Sequence, residues 1–172
     1  MISVHDPDRE AAFGELVRFR RVRPAGQMRC SSLPMRCCAP TVRYGQLRDR
    51  RSPFPRTSGI KLPQRYVDLL YVRNGGTPVR PRCPTNFETS WAPDHFEISA
   101  ILGIGGSPGL ENSAYMIAEW EYPDIGLVIC STPSGGHDTV MLDRSGAVVY
   151  IDEDRVPRQA ARSIEEFVAM LY

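Results

Sequence analysis

The sequence predicts an α+β domain, in which a mostly antiparallel sheet of about five or six strands packs against N- and C-terminal helices. An irregular N-terminal arm is expected to precede this domain. A helical pattern opens near Pro63, a series of short apolar runs follows, and a second helical pattern closes the chain. The runs recur at intervals of about 8–12 residues, which is too short for helical crossovers, so neighbouring strands should pair antiparallel.

The first helix is predicted within IKLPQRYVDLLYVRNGG, residues 60–76. Pro63 suits the first turn of a helix, because the N–H that proline lacks would have no intrahelical partner there. Tyr66, Leu69 and Leu70 then follow helical spacing. The Asn-Gly-Gly at 74–76 accepts the left-handed conformation that ends many helices, and no P-loop motif accompanies it. These glycines are therefore predicted to end the helix rather than to hold a phosphate.

Five runs rich in Ile, Val, Leu or Tyr, each bounded by Gly, Pro, Asp or Ser, are predicted to be strands. A Pro-rich loop at 77–84 separates the first helix from them. At the C-terminus, Ser163 and Glu166 have the spacing of a capping box, and an amphipathic helix is predicted to follow and to pack on the sheet. The predicted strands are EISAILGI (97–104), AYMIAE (114–119), IGLVICS (125–131), HDTVMLD (137–143) and AVVYID (147–152).

Charge and composition divide the chain near residue 60. Residues 1–59 carry 12 arginines and 5 acids, a balance of +7, whereas residues 60–172 carry 9 basic and 15 acidic side chains, a balance of −6. The first part is rich in Arg, Pro and Cys and shows helical spacing only at 8–21, so we expect a poorly ordered basic arm. Two interpretations of the arm stay open. It is either a linker or an extension foreign to the protein, or it is a basic tail that contacts nucleic acid or an anionic surface. The arginines lack the interleaved aromatic residues that stacking on bases requires, which favours the first interpretation.

The cysteines and the hydropathy pattern predict a cytoplasmic protein without membrane contact and without a cofactor. The cysteines are odd in number and form no CxxC pair, which argues against a disulfide framework and a zinc knuckle. No stretch approaches the roughly 18 apolar residues of a membrane helix. The N-terminus lacks the basic-then-apolar order of a secretory signal. The five cysteines are Cys30, Cys37, Cys38, Cys83 and Cys130.

The stretch SGGHDTVMLD, residues 134–143, raises the question of an active site. In a strand that begins at His137, that side chain and Asp138 point to opposite faces and cannot converge on one substrate atom. A metal site would have to recruit His95 with a buried thiol, and no such pair has ligand spacing on one element. We interpret the stretch as a turn followed by a strand. A small metal-dependent hydrolase is therefore the least favoured function.

A partner-binding surface is predicted at AEWEYPD, residues 118–124, because acids there flank amphipathic aromatic residues of the kind that dominate interface energetics. The excess of acids beyond residue 60 would complement a basic partner and speed association. The alternative is a solvated loop with one aromatic residue tucked into the core. The predicted contact residues are Glu119, Trp120, Glu121, Tyr122, Asp124 and Asp138.

In their order and spacing, LPQRYVDLLYVRNGG, ILGIGG, GLVICSTPSGGHDTVMLD, VVYIDED and SIEEFVAML resemble the SUKH superfamily. The resemblance covers about residues 59–172, and it identifies residues 60–172 as a Smi–Knr type domain. This domain occurs in the yeast Smi–Knr cell-wall regulators and in many bacterial immunity proteins. The resemblance implies a non-catalytic binding module, in the first place an immunity protein that neutralises a cognate polymorphic toxin, such as a nuclease or deaminase, by direct binding. The alternative that it implies is a regulatory scaffold of the cell-wall or signalling kind.

Overall fold

A computed structural model of the chain describes Phe19, residues 61–105 and residues 108–172. Within these residues it contains three α-helices and two antiparallel sheets, so the predicted α+β class is confirmed. The helix predicted at 8–21 and the predicted lack of order in the basic arm lie outside the described residues.

The helices and strands alternate irregularly along the chain. A short 3-10 helix at Leu110–Asn112 leads directly into the second α-helix. The helices are α1 (Gln64–Val72), α2 (Ser113–Glu119) and α3 (Ile164–Met170). The strands are β1 (Arg82–Pro84), β2 (His95–Glu97), β3 (Ala100–Ile101), β4 (Gly126–Ser131), β5 (Thr139–Asp143), β6 (Val148–Ile151) and β7 (Pro157–Ala161).

The main sheet has five strands in the order β3-β4-β5-β6-β7, and each strand pairs antiparallel with the next. This meander keeps sequential neighbours adjacent in space, as short connections favour. In the β4–β5 pair, Gly126 lies opposite Asp143 at one end and Cys130 lies opposite Val140 at the other. Strands β1 and β2 form a separate two-stranded sheet.

An aromatic layer joins the small sheet and helix α3 to the main sheet. The ring of Tyr150 on β6 stacks on Phe96 of β2, with centroids 4.5 Å apart, and Phe96 lies 6.5 Å from Phe167 of α3. All three side chains are almost completely buried. Helix α1 joins the same core through Tyr66, whose hydroxyl donates a 2.7 Å hydrogen bond to the Leu102 carbonyl.

The ends of α1 and α3 follow the predicted chemistry. Helix α1 begins directly after Pro63, and Gly75 and Gly76 adopt φ of 74° and 132° beyond its end. At α3, the Ser163 hydroxyl accepts a hydrogen bond from the Glu166 N–H, which confirms the serine half of the capping box. The Glu166 carboxylate, however, accepts a 2.7 Å hydrogen bond from the Arg162 N–H, one residue before the serine.

The prediction of a strand at 114–119 is wrong, because these residues belong to helix α2. Ser113, Met116 and Ile117 are the less exposed residues of this segment, and their spacing is helical rather than alternating. Its alanine, methionine and glutamate residues are also strong helix formers. The prediction gave too much weight to the β-branched and aromatic residues of a short run, which is the case in which helix and strand are hardest to separate.

The strand predicted at 97–104 divides between two sheets, and two strands were missed. Glu97 ends β2, whereas Ala100 and Ile101 form β3 and pair with β4. Strand β1 lies in the predicted Pro-rich loop. Strand β7 reads PRQAA, which has little β-propensity, and it is an edge strand that begins with proline, a position that sheets tolerate.

Candidate functional site

The structure places the six predicted contact residues in three different environments. Glu119, Trp120 and Glu121 are exposed at the C-terminal end of helix α2, and Asp124 is exposed near the opposite end of β5. Tyr122 and Asp138 are buried. The six residues therefore do not form one continuous surface.

Trp120 lies against the turn that precedes β5. Its indole ring covers Gly136 so closely that a Cβ atom at that glycine would overlap the ring. Its centroid is 6.4 Å from that of the His137 ring. The residue is 37 % exposed, so Trp120 stays partly accessible to solvent. Trp120 is thus held against the turn while part of the residue remains accessible to a partner.

Two residues outside the predicted set complete this surface. The Nδ1 atom of His137 lies 3.7 Å from Oε1 of Glu153, and both side chains are more than half exposed. Glu153 belongs to the turn between β6 and β7, more than thirty residues from Trp120 in the sequence. The cluster of acids at 152–154 was the only sequence signal for it. We call Glu119, Trp120, Glu121, His137 and Glu153 the Trp120 surface.

Tyr122 fastens the segment after α2 to the turn beneath it. Its hydroxyl donates to the Gly136 carbonyl at 2.6 Å and lies 3.1 Å from the Asp138 carbonyl. The Arg155 guanidinium lies 5.0 Å from the centre of the Tyr122 ring and donates a 2.7 Å hydrogen bond to the His137 carbonyl. Burial raises the pKa of Tyr122 to about 12, although Arg155 opposes this shift. Tyr122 is therefore the one aromatic residue of the segment 118–124 that is buried in the core, as the alternative interpretation of this segment expected.

Asp138 supports the Trp120 surface from inside the domain, and its position does not fit the predicted contact with a partner. The residue is only 3 % exposed. Its carboxylate accepts two 2.6 Å hydrogen bonds, one from the Thr132 hydroxyl and one from the Tyr150 hydroxyl. Burial is the largest cause that raises the pKa of Tyr150 far above its ordinary value, and the hydrogen bond to Asp138 is the second. The sequence pattern could not distinguish a buried acid at a strand end from an exposed one.

Asp124 lies apart from the Trp120 surface. Its carboxylate is 3.3 Å from the Arg144 guanidinium, which also donates a 2.8 Å hydrogen bond to the Asp124 carbonyl. Arg144 directly follows β5, whereas Gly136 and His137 precede that strand. Strand β5 therefore separates Asp124 from Trp120, and a neighbouring cation offsets its charge.

The side chains considered for catalysis lie in separate environments. His137 and Asp138 point apart, as predicted. The His137 side chain is exposed beside Glu153, whereas the Asp138 side chain is buried. His95 lies in β2, with its Nδ1 atom 2.7 Å from an Asp94 carboxylate oxygen. Among the described residues, no group of three or more His, Cys, Asp or Glu side chains has the geometry of a metal site.

Cys83 and Cys130 are buried free thiols, and they make the stability of the fold sensitive to alkali. Burial raises the pKa of Cys83 to about 12 from an ordinary value of 9.0, and it also raises that of Cys130. Above pH 9 the unfolded chain releases these protons while the folded chain keeps them. The free energy of unfolding should therefore fall between pH 9 and 12, by up to about 1.4 kcal/mol per pH unit for each thiol.

Urea titrations at several pH values would measure this decline. Replacing Cys83 with alanine removes one titrating thiol, so the variant should lose stability less steeply than the parent over the same pH range. Comparing slopes rather than absolute stabilities separates this effect from the cost of the smaller side chain. Equal slopes in the two proteins would contradict the prediction.

The fold and the surface together define a class of protein: an α+β domain with a buried antiparallel meander and an exposed surface of acids around a tryptophan. The family model described as SMI1 / KNR4 family (SUKH-1) matches residues 53–170. The chain belongs to this family, which confirms the resemblance to the SUKH superfamily. No curated protein and no solved structure gives a significant match to the chain. In the part of the chain that the structure describes, no helix has the length and apolar character needed to cross a membrane.

Proposed function

We propose that this chain is a non-catalytic, cytoplasmic immunity protein of bacterial type, which neutralises a cognate toxin by binding it through the Trp120 surface. The observation that carries the proposal is the partly exposed Trp120, which packs on Gly136 and lies beside His137, the residue that meets Glu153. Exposed Glu119 and Glu121 flank it in the chain. Membership in the SMI1 / KNR4 family supports a binding role. A regulatory scaffold would use the same kind of surface and differs in its partner.

A rigid aromatic residue is well suited to lead such an interface. Trp120 loses little conformational freedom on binding, because the turn beneath it already fixes the ring. Binding would bury the exposed part of its apolar surface, and tryptophan is among the residues enriched at interface hot spots. The surrounding acids would form the polar rim that orients the partner.

The charge of the domain specifies the chemistry of the partner. Residues 60–172 carry a balance of −6, and three of their acids, Glu119, Glu121 and Glu153, are exposed in the Trp120 surface. Two neighbouring groups can offset part of this charge: His137, beside Glu153, and the Arg155 guanidinium, which is hydrogen-bonded to the His137 carbonyl. Such a surface attracts a basic partner, and the active-site cleft of an enzyme that acts on nucleic acid has this character. We therefore propose a nuclease or deaminase toxin as the partner.

The proposal is tested with the full chain and the candidate toxin encoded beside its gene. The two proteins are co-expressed in a bacterial host, and growth rescue and the rate of complex formation are measured. The Trp120→Ala variant should lose rescue, because it removes the central apolar contact. The triple variant Glu119→Gln, Glu121→Gln and Glu153→Gln should associate about tenfold or more slowly at low salt, and the difference should shrink as salt is added.

Asp124→Asn provides the matched control, since it removes one exposed acid that lies away from the Trp120 surface. This variant should rescue growth like the parent. Rescue that survives Trp120→Ala in a soluble, folded variant would contradict the proposed surface. A folded parent chain that forms no stoichiometric complex with the toxin would contradict the immunity function and favour the regulatory scaffold.

A further inference from the structure

Phe19 is the one described residue of the basic arm, and it contacts the domain at a specific place. It forms an antiparallel β-bridge with Pro78, just beyond the glycines that follow helix α1. Gly76 in turn bridges Ile101 of β3, with hydrogen bonds of 2.9 and 3.0 Å in the two directions. Phe19 therefore continues the main sheet past its β3 edge, across the segment 76–78.

The side chain of Phe19 has a cationic partner there. The Arg73 guanidinium lies 5.0 Å from the centre of the Phe19 ring, a cation–π distance. The Nε atom of Arg73 also donates a 3.3 Å hydrogen bond to the Gly75 carbonyl, which fixes the side chain over the turn. Arg73 thus lies between the glycine turn and the aromatic ring.

The glycine at position 76 gives this contact its shape. Its φ of 132° belongs to the region that residues with a side chain rarely adopt. A Cβ atom there would lie 3.1 Å from Nε of Arg73 and 3.5 Å from Cδ1 of Phe19. The bare backbone therefore lets both side chains approach. Because Pro78 has no N–H to donate, side-chain contacts must supply much of the affinity at this edge.

We propose that Phe19 anchors the basic arm to its own domain, by docking on the edge of the main sheet between Arg73 and the segment 76–78. The occupant of this edge is thus a segment of the same chain rather than a foreign peptide. Charge favours the association, since residues 1–59 carry a balance of +7 and residues 60–172 one of −6. Docking would also cover the outer edge of the segment 76–78 against pairing with another chain. The inference does not depend on the identity of any partner.

A photo-crosslinking amino acid at position 19 of the full chain tests the anchor directly. Irradiation of the dilute protein, followed by digestion and mass spectrometry, should give crosslinks within one chain to residues 73–80. Phe13 provides the matched control, since it is the same residue type in the same basic arm. Equal crosslinking of residues 73–80 from positions 13 and 19, or crosslinks that only join two chains, would overturn the proposal.

Limited trypsin digestion gives an independent measurement of the same contact. Arg18 and Arg20 flank Phe19, so a docked Phe19 should protect both bonds from cleavage. The Phe19→Ala variant should be cut there about 5- to 30-fold faster than the parent, and Phe19→Tyr, which keeps an aromatic ring against Arg73, should be cut at close to the parent rate. Circular dichroism of each variant verifies that the domain remains folded. Identical cleavage rates in the parent and Phe19→Ala would overturn the anchor.

Discussion

Replacing Asp138 with alanine should lower the free energy of unfolding by about 2–4 kcal/mol, because two buried hydroxyls lose a charged acceptor at once. The Thr132 hydroxyl and the Tyr150 hydroxyl each donate a 2.6 Å hydrogen bond to this carboxylate. Tyr150 is completely buried, so water cannot replace the lost acceptor. Its ring also forms the centre of the aromatic layer, which links the site to the core. Urea unfolding at neutral pH measures the loss.

Two further variants show whether the hydrogen bonds are the cause. Tyr150→Phe removes one donor and leaves the carboxylate bonded to Thr132, so it should cost less than Asp138→Ala. The double variant should lose less than the sum of the two single variants, with a coupling of about 0.5–3 kcal/mol. Additive losses, or a cost of Asp138→Ala within the error of the parent, would show that the network does not stabilise the fold.

Replacing Gly136 with alanine should cost about 2–4 kcal/mol and displace Trp120 from the turn. The new Cβ would overlap the indole ring, and the φ of 108° disfavours any residue with a side chain. In a Trp91→Phe background, Trp120 is the sole tryptophan of the chain. Its fluorescence should therefore shift to longer wavelength as the ring becomes more exposed. If the chain binds through the proposed Trp120 surface, the same variant should weaken that binding through the loss of a fixed Trp120.

Gly135 is the matched control for this substitution. It has a φ of 71°, yet no atom lies within 4 Å of a Cβ built there. Gly135→Ala should therefore lower the free energy of unfolding only through backbone strain. In a Trp120→Ala background, Gly136→Ala should cost less than it does in the parent, since the overlap with the indole is gone. An equal cost of Gly136→Ala with and without Trp120 would contradict the proposed packing.

Patterns local in the sequence predicted the parts of the fold that local forces determine. Helix α1 could be predicted from the proline before it and the glycines after it, and α3 from Ser163 and the apolar stripe that follows. The central strands β4 to β6 were readable because they are short, apolar and bounded by turn residues. The family was readable for a related reason, since its motifs keep the order of these elements.

Tertiary packing decided the remaining parts. Residues 113–119 became helix α2 because the helix places its less exposed side chains on one face, and PRQAA became β7 because β6 offered it an edge. The candidate site needed the whole fold as well, since the meander brings Glu153 beside His137, whose ring lies near Trp120. The sequence alone determined which segments carry the acids and the aromatic residues. Only the packing of distant segments decided that Asp138 lies inside and Glu153 outside, because burial depends on contacts that no local pattern contains.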